Sequence, residues 1–176
     1  MSGKILVVFF VLVALVGGGG MYYLQVYGYY TEVQARGEGD VMLTSITSGE
    51  PEAILYDGFE AIDADSSPLR YRACFTTPLS QALLTETFEF YDDPVPTVAP
   101  GWFDCFDAEA VGAALEEERA IAFLGTANIV YGFDRVVAVT EDGKGFVWHQ
   151  LNICGEKAFD GDPLPEGCPP RPEAGE

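Results

Sequence analysis

RVVAVTEDGKGFVWHQLNI, residues 135–153, decides the fold class. Glu141-Asp142-Gly143-Lys144 is turn chemistry between two β-prone runs, Arg135–Thr140 and Gly145–Ile153, and the segment predicts an antiparallel hairpin. Successive side chains of a strand point to opposite faces, yet Val136, Val137, Ala138 and Val139 are all apolar. Neither face of that strand is suited to water, so it belongs in the middle of a sheet covered on both sides. Upstream, Ala120–Leu124 is a short apolar strand. Asp107 is placed to cap a helix over Ala108–Arg119 whose buried stripe is Ala108, Val111, Ala114 and Leu115. Acidic Glu116–Glu118 oppose the dipole of its last turn, at a cost of a few tenths of a kcal/mol (roughly) at a solvated end.

Further out, Asp92–Gly101 with three prolines is a loop, and Thr85–Tyr91 alternates like a strand. Thr77-Pro78 starts a short helix to Leu84. In the strand Leu69–Thr76, Leu69, Tyr71, Ala73 and Phe75 share one face. Ala53–Tyr56 and Phe59–Ile62 form a hairpin about Asp57-Gly58. The sum is an α+β domain over residues 52–159, an antiparallel sheet of five or six strands with two helices. A polar linker, 31–51, precedes it, and a Pro-rich acidic tail, 160–176, follows.

The chain begins differently. Residues 5–30, ILVVFFVLVALVGGGGMYYLQVYGYY, are 26 residues broken only by Gln25, where about 20 apolar residues span a bilayer as a helix. Residues 1–30 are therefore expected to be a transmembrane anchor. A cleaved signal peptide is the rival reading, but there is no A-x-A and the apolar run continues ten residues beyond the glycines. Lys4 favours a cytoplasmic N-terminus and a C-terminal domain on the far side. Tyr22, Tyr23, Tyr27, Tyr29 and Tyr30 suit the headgroup boundary at the exit. Ala14, Gly17 and Gly18 offer a small-residue face on which a partner helix can pack closely.

Beyond Tyr30 the chain carries 28 Asp and Glu against 8 Lys and Arg, a formal charge of −20. Such a field opposes nucleic acid and anionic headgroups and attracts basic proteins. Solubility alone also accounts for it. The four cysteines all lie in this part, which suggests two disulfides in an oxidising compartment. Cys154 and Cys168 bracket a short Gly/Pro-rich stretch and are paired, leaving Cys74 with Cys105. With no C-x-x-C, neither a thioredoxin-type site nor a close-paired zinc site is expected.

Catalytic signatures are sparse. His149 is the only histidine, no G-x-S-x-G accompanies it, and its place beside Trp148 in a strand favours a structural or interface role. The acidic clusters do not follow a calcium-loop pattern, and no phosphate-cradling glycine loop occurs outside the span. No cofactor or metal is expected. With 28 acids, a carboxylate pair suited to hydrolysis is inevitable somewhere and so uninformative. More suggestive are the aromatics of GWFDCF (Trp102, Phe103, Phe106) and Tyr131 after a turn. Aromatic loops beside charge are typical of interfaces, and equally they fill small cores.

The single N-terminal span, the segment YGFDRVVAVTEDGKGFVWHQLNICG and the upstream RYRACF together resemble a group of uncharacterised single-pass proteins of alphaproteobacteria. The resemblance carries no activity. It implies an inner-membrane protein with its domain in the periplasm. The expectation is a non-catalytic accessory or assembly subunit of an inner-membrane complex, a respiratory one among the candidates, joined to integral membrane partners through its helix. Its acidic domain could attract a basic periplasmic protein such as a c-type cytochrome. A membrane-tethered hydrolase with paired carboxylates, or a sensor with a ligand pocket, are the alternatives.

Overall fold

A computed structural model describes residues 3–171. Helix α1 (Gly3–Tyr23) continues through a π-helical turn, Leu24–Gly28, and together they are long and apolar enough to cross a membrane. The domain that follows is α+β. Strands β1 (Thr31–Val33), β4 (Asp57–Asp63), β5 (Arg72–Thr76), β6 (Ala120–Val130), β7 (Phe133–Thr140) and β8 (Lys144–Leu151) form one antiparallel sheet in the order β1-β4-β5-β8-β7-β6. Strands β2 (Met42–Thr44) and β3 (Pro51–Ala53) form a separate ribbon. Helices α2 (Gln81–Thr87), α3 (Ala108–Glu116) and α4 (Ile153–Asp160) complete the domain.

The β7–β8 hairpin lies inside the sheet as its sequence requires, and Val136–Val139 are all buried. Val137 and Val139 face a core shared with Val41, Leu43, Ile54, Phe75 and Leu84, contributed by the β2–β3 ribbon, β5 and α2. Val136 and Ala138 face the opposite core, with Trp148, Phe103, Phe106 and Val111, roofed by α3 and the loop before it. The sheet is the middle layer of three. Asp107 caps α3 through the amides of Glu109 and Ala110. The disulfides are Cys74–Cys105 and Cys154–Cys168, as the spacing argument pairs them.

Several expectations give way. Residues 31–51 are not a plain linker: they hold β1 and β2 and bury Val41 and Leu43, two apolar side chains in a polar stretch. Asp57-Gly58 is not a hairpin turn. The β3 strand pairs back to β2, and Gly58, at φ +62°, serves a bulge in the β4–β5 register instead. Ser80 rather than Thr77 caps α2, through the amide of Leu83. The helix consequently consumes residues to Thr87, and only the segment after it pairs as a strand, Phe88 with Ser45 and Phe90 with Phe123. Leu69 sits in a 3-10 turn, Pro68–Arg70, before β5. Strand β6 runs to Val130 through two register shifts that break up an otherwise open edge. Asn152 caps a third helix where the end of a strand was expected.

Gly145 stands opposite Phe75 in the β5–β8 register, and a β-carbon there would come 2.0 Å from the Phe75 ring. Close approach of this kind is what glycine inside a strand marks. Gly145→Ala should therefore destabilise the domain by about 1–3 kcal/mol. Combining it with Phe75→Leu should recover part of that loss, giving a coupling of about 1 kcal/mol in denaturant unfolding with the disulfides intact. Simple additivity of the two substitutions would show that the close approach is not what excludes the side chain.

Candidate functional site at the anchor junction

A helix end leaves its last carbonyls without partners. At the exit of the apolar helix the domain supplies them. Trp102 Nε1 donates to the Val26 carbonyl at 2.7 Å, and Arg70 donates to the Gln25 carbonyl at 3.2 Å. The amide of Tyr30 takes the Tyr27 carbonyl. The rings of Tyr27 and Tyr30 pack on Trp102, and the Arg70 guanidinium lies over Tyr30, 5.4 Å from its centre. A cation at a helix C-terminus also complements the dipole. Arg70 is placed by the 3-10 turn, which starts where Pro68 pre-sets the backbone and the Ser67 hydroxyl accepts from Leu69 N–H.

Trp102 is placed by a strap, residues 91–105, laid across one face of the sheet. The Tyr91 amide bonds Ala122 of β6, and its hydroxyl approaches Asp134 of β7. Gln150 of β8 bonds the Asp93 carbonyl and the Val95 amide. Arg72 of β5 donates to the Thr97 and Val98 carbonyls at 2.7 and 3.0 Å, and to Leu69 and Tyr71 carbonyls as well. Cys105 then closes on Cys74, also of β5. Arg72 is only 3% exposed, and burial lowers its pKa to about 10, still fully protonated at neutral pH.

The expected interface aromatics divide. Trp102 is half-buried and holds the anchor, and Tyr131 is half-buried with its hydroxyl on the Pro169 carbonyl. Phe103, Phe106, Trp148 and His149 are buried, which sets aside the interface option for these four and leaves the core-filling and structural ones. An apolar sheet face needs filling before any surface can be decorated, and the GWFDCF loop is what fills it. Ala14, Gly17 and Gly18 lie on a helix with no buried residue, and a β-carbon on either glycine would meet nothing within 4 Å.

His149 stacks on Tyr71 and accepts from Arg135 Nε at 3.0 Å. Because a guanidinium only donates, Nε2 is the acceptor and Nδ1–H donates to the Pro68 carbonyl, 2.7 Å away. Burial and the neighbouring Arg135 push its pKa down to about 4. It is a neutral structural imidazole that braces the turn carrying Arg70. Sequence reasoning missed Arg70 and Arg72. For Arg72 the signal was present, since a side chain between Tyr71 and Ala73 of a central strand faces the other core and has no route to water.

Two other features are less suited to chemistry. A cleft of about 570 Å³ lies between α3 and the β7–β8 turn, but its cations are closed into pairs, Arg119 with Glu117 and Lys144 with Asp142. Among the described residues no group of histidine, cysteine or acidic side chains is placed to hold a metal ion.

Residues 41–169, well over half of the chain, match the model of a family of unknown function, DUF6446. The match takes in both disulfides and begins after α1 and β1. No curated protein and no solved structure matches the chain.

The folded pKa of His149 lies below the unfolded value of about 6.5. The native state therefore binds fewer protons, and this group supports stability above about pH 6.5 and withdraws that support as pH falls toward 4. Between pH 7 and 4.5 the native protein should lose about 2–3 kcal/mol more than His149→Gln, measured by denaturant unfolding. Parallel profiles for the two proteins would mean that the imidazole charges freely in the folded state.

Proposed function

We propose that this chain, which belongs to the family of unknown function DUF6446, is a non-catalytic accessory or assembly subunit of a larger inner-membrane complex. The observation that carries this is the clasp at the helix exit. A helix that only tethers a domain needs no fixed angle to it. Here Arg70 and Trp102 bind the carbonyls of the last turn, so helix and domain move as one piece. A partner helix that packs on the bare Ala14, Gly17 and Gly18 face then sets the position of the acidic domain. The two disulfides fit an oxidising compartment, which with Lys4 supports a cytoplasmic N-terminus and a periplasmic domain.

The alternatives have less behind them. A glycosidase-type hydrolase wants a carboxyl held above its ordinary pKa. The carboxyls visibly moved here go down. At Asp40, burial acts upward but is outweighed by hydrogen bonds from Tyr56 and the Arg36 and Gly37 amides. Asp142 is lowered to about 2 by Lys144 and the Thr140 hydroxyl. A sensor wants a deep apolar pocket, and the cleft beside α3 is edged with ion pairs.

Purification of the full chain in mild detergent through a C-terminal tag should recover one membrane complex in stoichiometric amount, identified by mass spectrometry of the native-gel band. Recovery as a lone monomer or homodimer rejects the subunit reading. The charge supports a second expectation, electrostatic capture of a basic c-type cytochrome by the −20 domain. Its affinity for membranes carrying the protein should weaken at least tenfold between about 10 and 150 mM salt, as the screening length shortens from about 30 to 8 Å. An affinity indifferent to salt rules out steering by this field.

A further inference from the structure

Beside the clasp lies a recess of about 540 Å³ whose lining includes Tyr22, Gln25, Tyr30, Arg70, Val98 and Pro100, together with Arg72. Its depth follows from the helix. From Lys4 to Gln25 a helix rises about 31 Å, the thickness of the hydrocarbon core, so the recess opens at the level of the lipid headgroups. Its charge is opposite to that of the domain around it. Two arginines line it and no carboxylate does, in a chain with 28 acidic residues. Arg72 gives its donors to backbone carbonyls and contributes only field. Arg70 gives one terminal nitrogen to Gln25 and has no ion pair among the described residues. That leaves Nε and the other terminal nitrogen, the fork that suits two oxygens of a phosphate. The strap beside it exposes Val95 and Val98, the latter 81% exposed and lining the recess together with Tyr22.

We propose that this recess binds one zwitterionic phospholipid of the leaflet through which the chain emerges, with Arg70 as ligand to its phosphodiester and Val98 against its upper acyl chains. A zwitterionic headgroup is favoured because a net-anionic one meets the repulsion of the −20 domain within a screening length. The inference rests on the helix being a retained anchor and not on any partner subunit.

The test is native mass spectrometry of the full-length protein extracted in mild detergent from bilayers of equal phosphatidylethanolamine and phosphatidylglycerol. The expected result is one retained phosphatidylethanolamine. Arg70→Gln should lower that occupancy at least tenfold and Arg70→Lys less. Val98→Asp, a change at an exposed position, should also lower it while both disulfides and the unfolding temperature stay unchanged. Wild-type occupancy in both Arg70→Gln and Val98→Asp overturns the site. Preferential retention of phosphatidylglycerol overturns the zwitterion assignment, and displacement by millimolar inorganic phosphate overturns a lipid as the ligand. Protein that resists carbonate extraction yet retains no lipid defeats this proposal and leaves the subunit reading standing. Bound lipid on a protein with no stoichiometric partner does the reverse.

Discussion

A buried guanidinium organises one whole side of this molecule. Removing Arg72 from water costs several kcal/mol, and without compensation an arginine would not remain in a central strand. Compensation comes from four carbonyls, two on its own approach, Leu69 and Tyr71, and two on the strap, Thr97 and Val98. The strap cannot lift without orphaning a buried charge, so its path is fixed. Its path in turn fixes Trp102, and Trp102 holds the last turn of the anchor. Cys74–Cys105 ties the same strap to the same strand two residues on, and such bridges typically add about 2–4 kcal/mol, mainly by restricting the unfolded chain.

The neighbouring corner of the sheet, across β8, is fastened by different means. Asp134 of β7 is nearly buried and accepts from the Asn128 amide and the Asn152 side chain, while Tyr91 approaches its other oxygen. Asn152 also caps α4. Gly155 in the first turn of α4 lies against Gly132, with room for no side chain: a β-carbon would come 2.3 Å from the Gly132 carbonyl. Cys154, beside it, bridges to Cys168 and draws the C-terminal segment over the same corner. This end of the sheet is thus pinned on β5 by a charge on carbonyls and on β7 by a carboxylate on amides. Burial pushes the Tyr91 hydroxyl well above its ordinary pKa, helped by Asp134, so it stays a neutral donor at this corner.

How much of this the sequence discloses depends on whether the signal is local. The β7–β8 hairpin and the α3 cap are written in adjacent residues, and the structure follows them. The cysteine pairing was legible because two of the four lie close together. Residues 31–51 were misread because Val41 and Leu43 are isolated apolar side chains in polar company, and only a partner ribbon 51–53 explains their burial. The aromatic loop was ambiguous in principle, since composition does not say whether Phe103 and Phe106 face water or a sheet. Arg72 was marked only by the alternation of its strand, and Arg70 carried no local signal. Their roles depend on carbonyls 25 to 45 residues away.

The anchor and the clasp then make different demands on one helix. Four consecutive glycines would weaken a helix in water by about 1 kcal/mol each. Within hydrocarbon the alternative is an unsatisfied backbone, so the helix persists and the glycines only strip it of side chains. The middle of the span is left bare and adaptable, while its end is gripped by an arginine and a tryptophan of the domain. In the subunit reading proposed above, contacts made against that bare stretch reach the domain through the Arg70 and Trp102 bonds to the helix end. On that reading, the acidic surface is aimed by whatever the glycine face packs against.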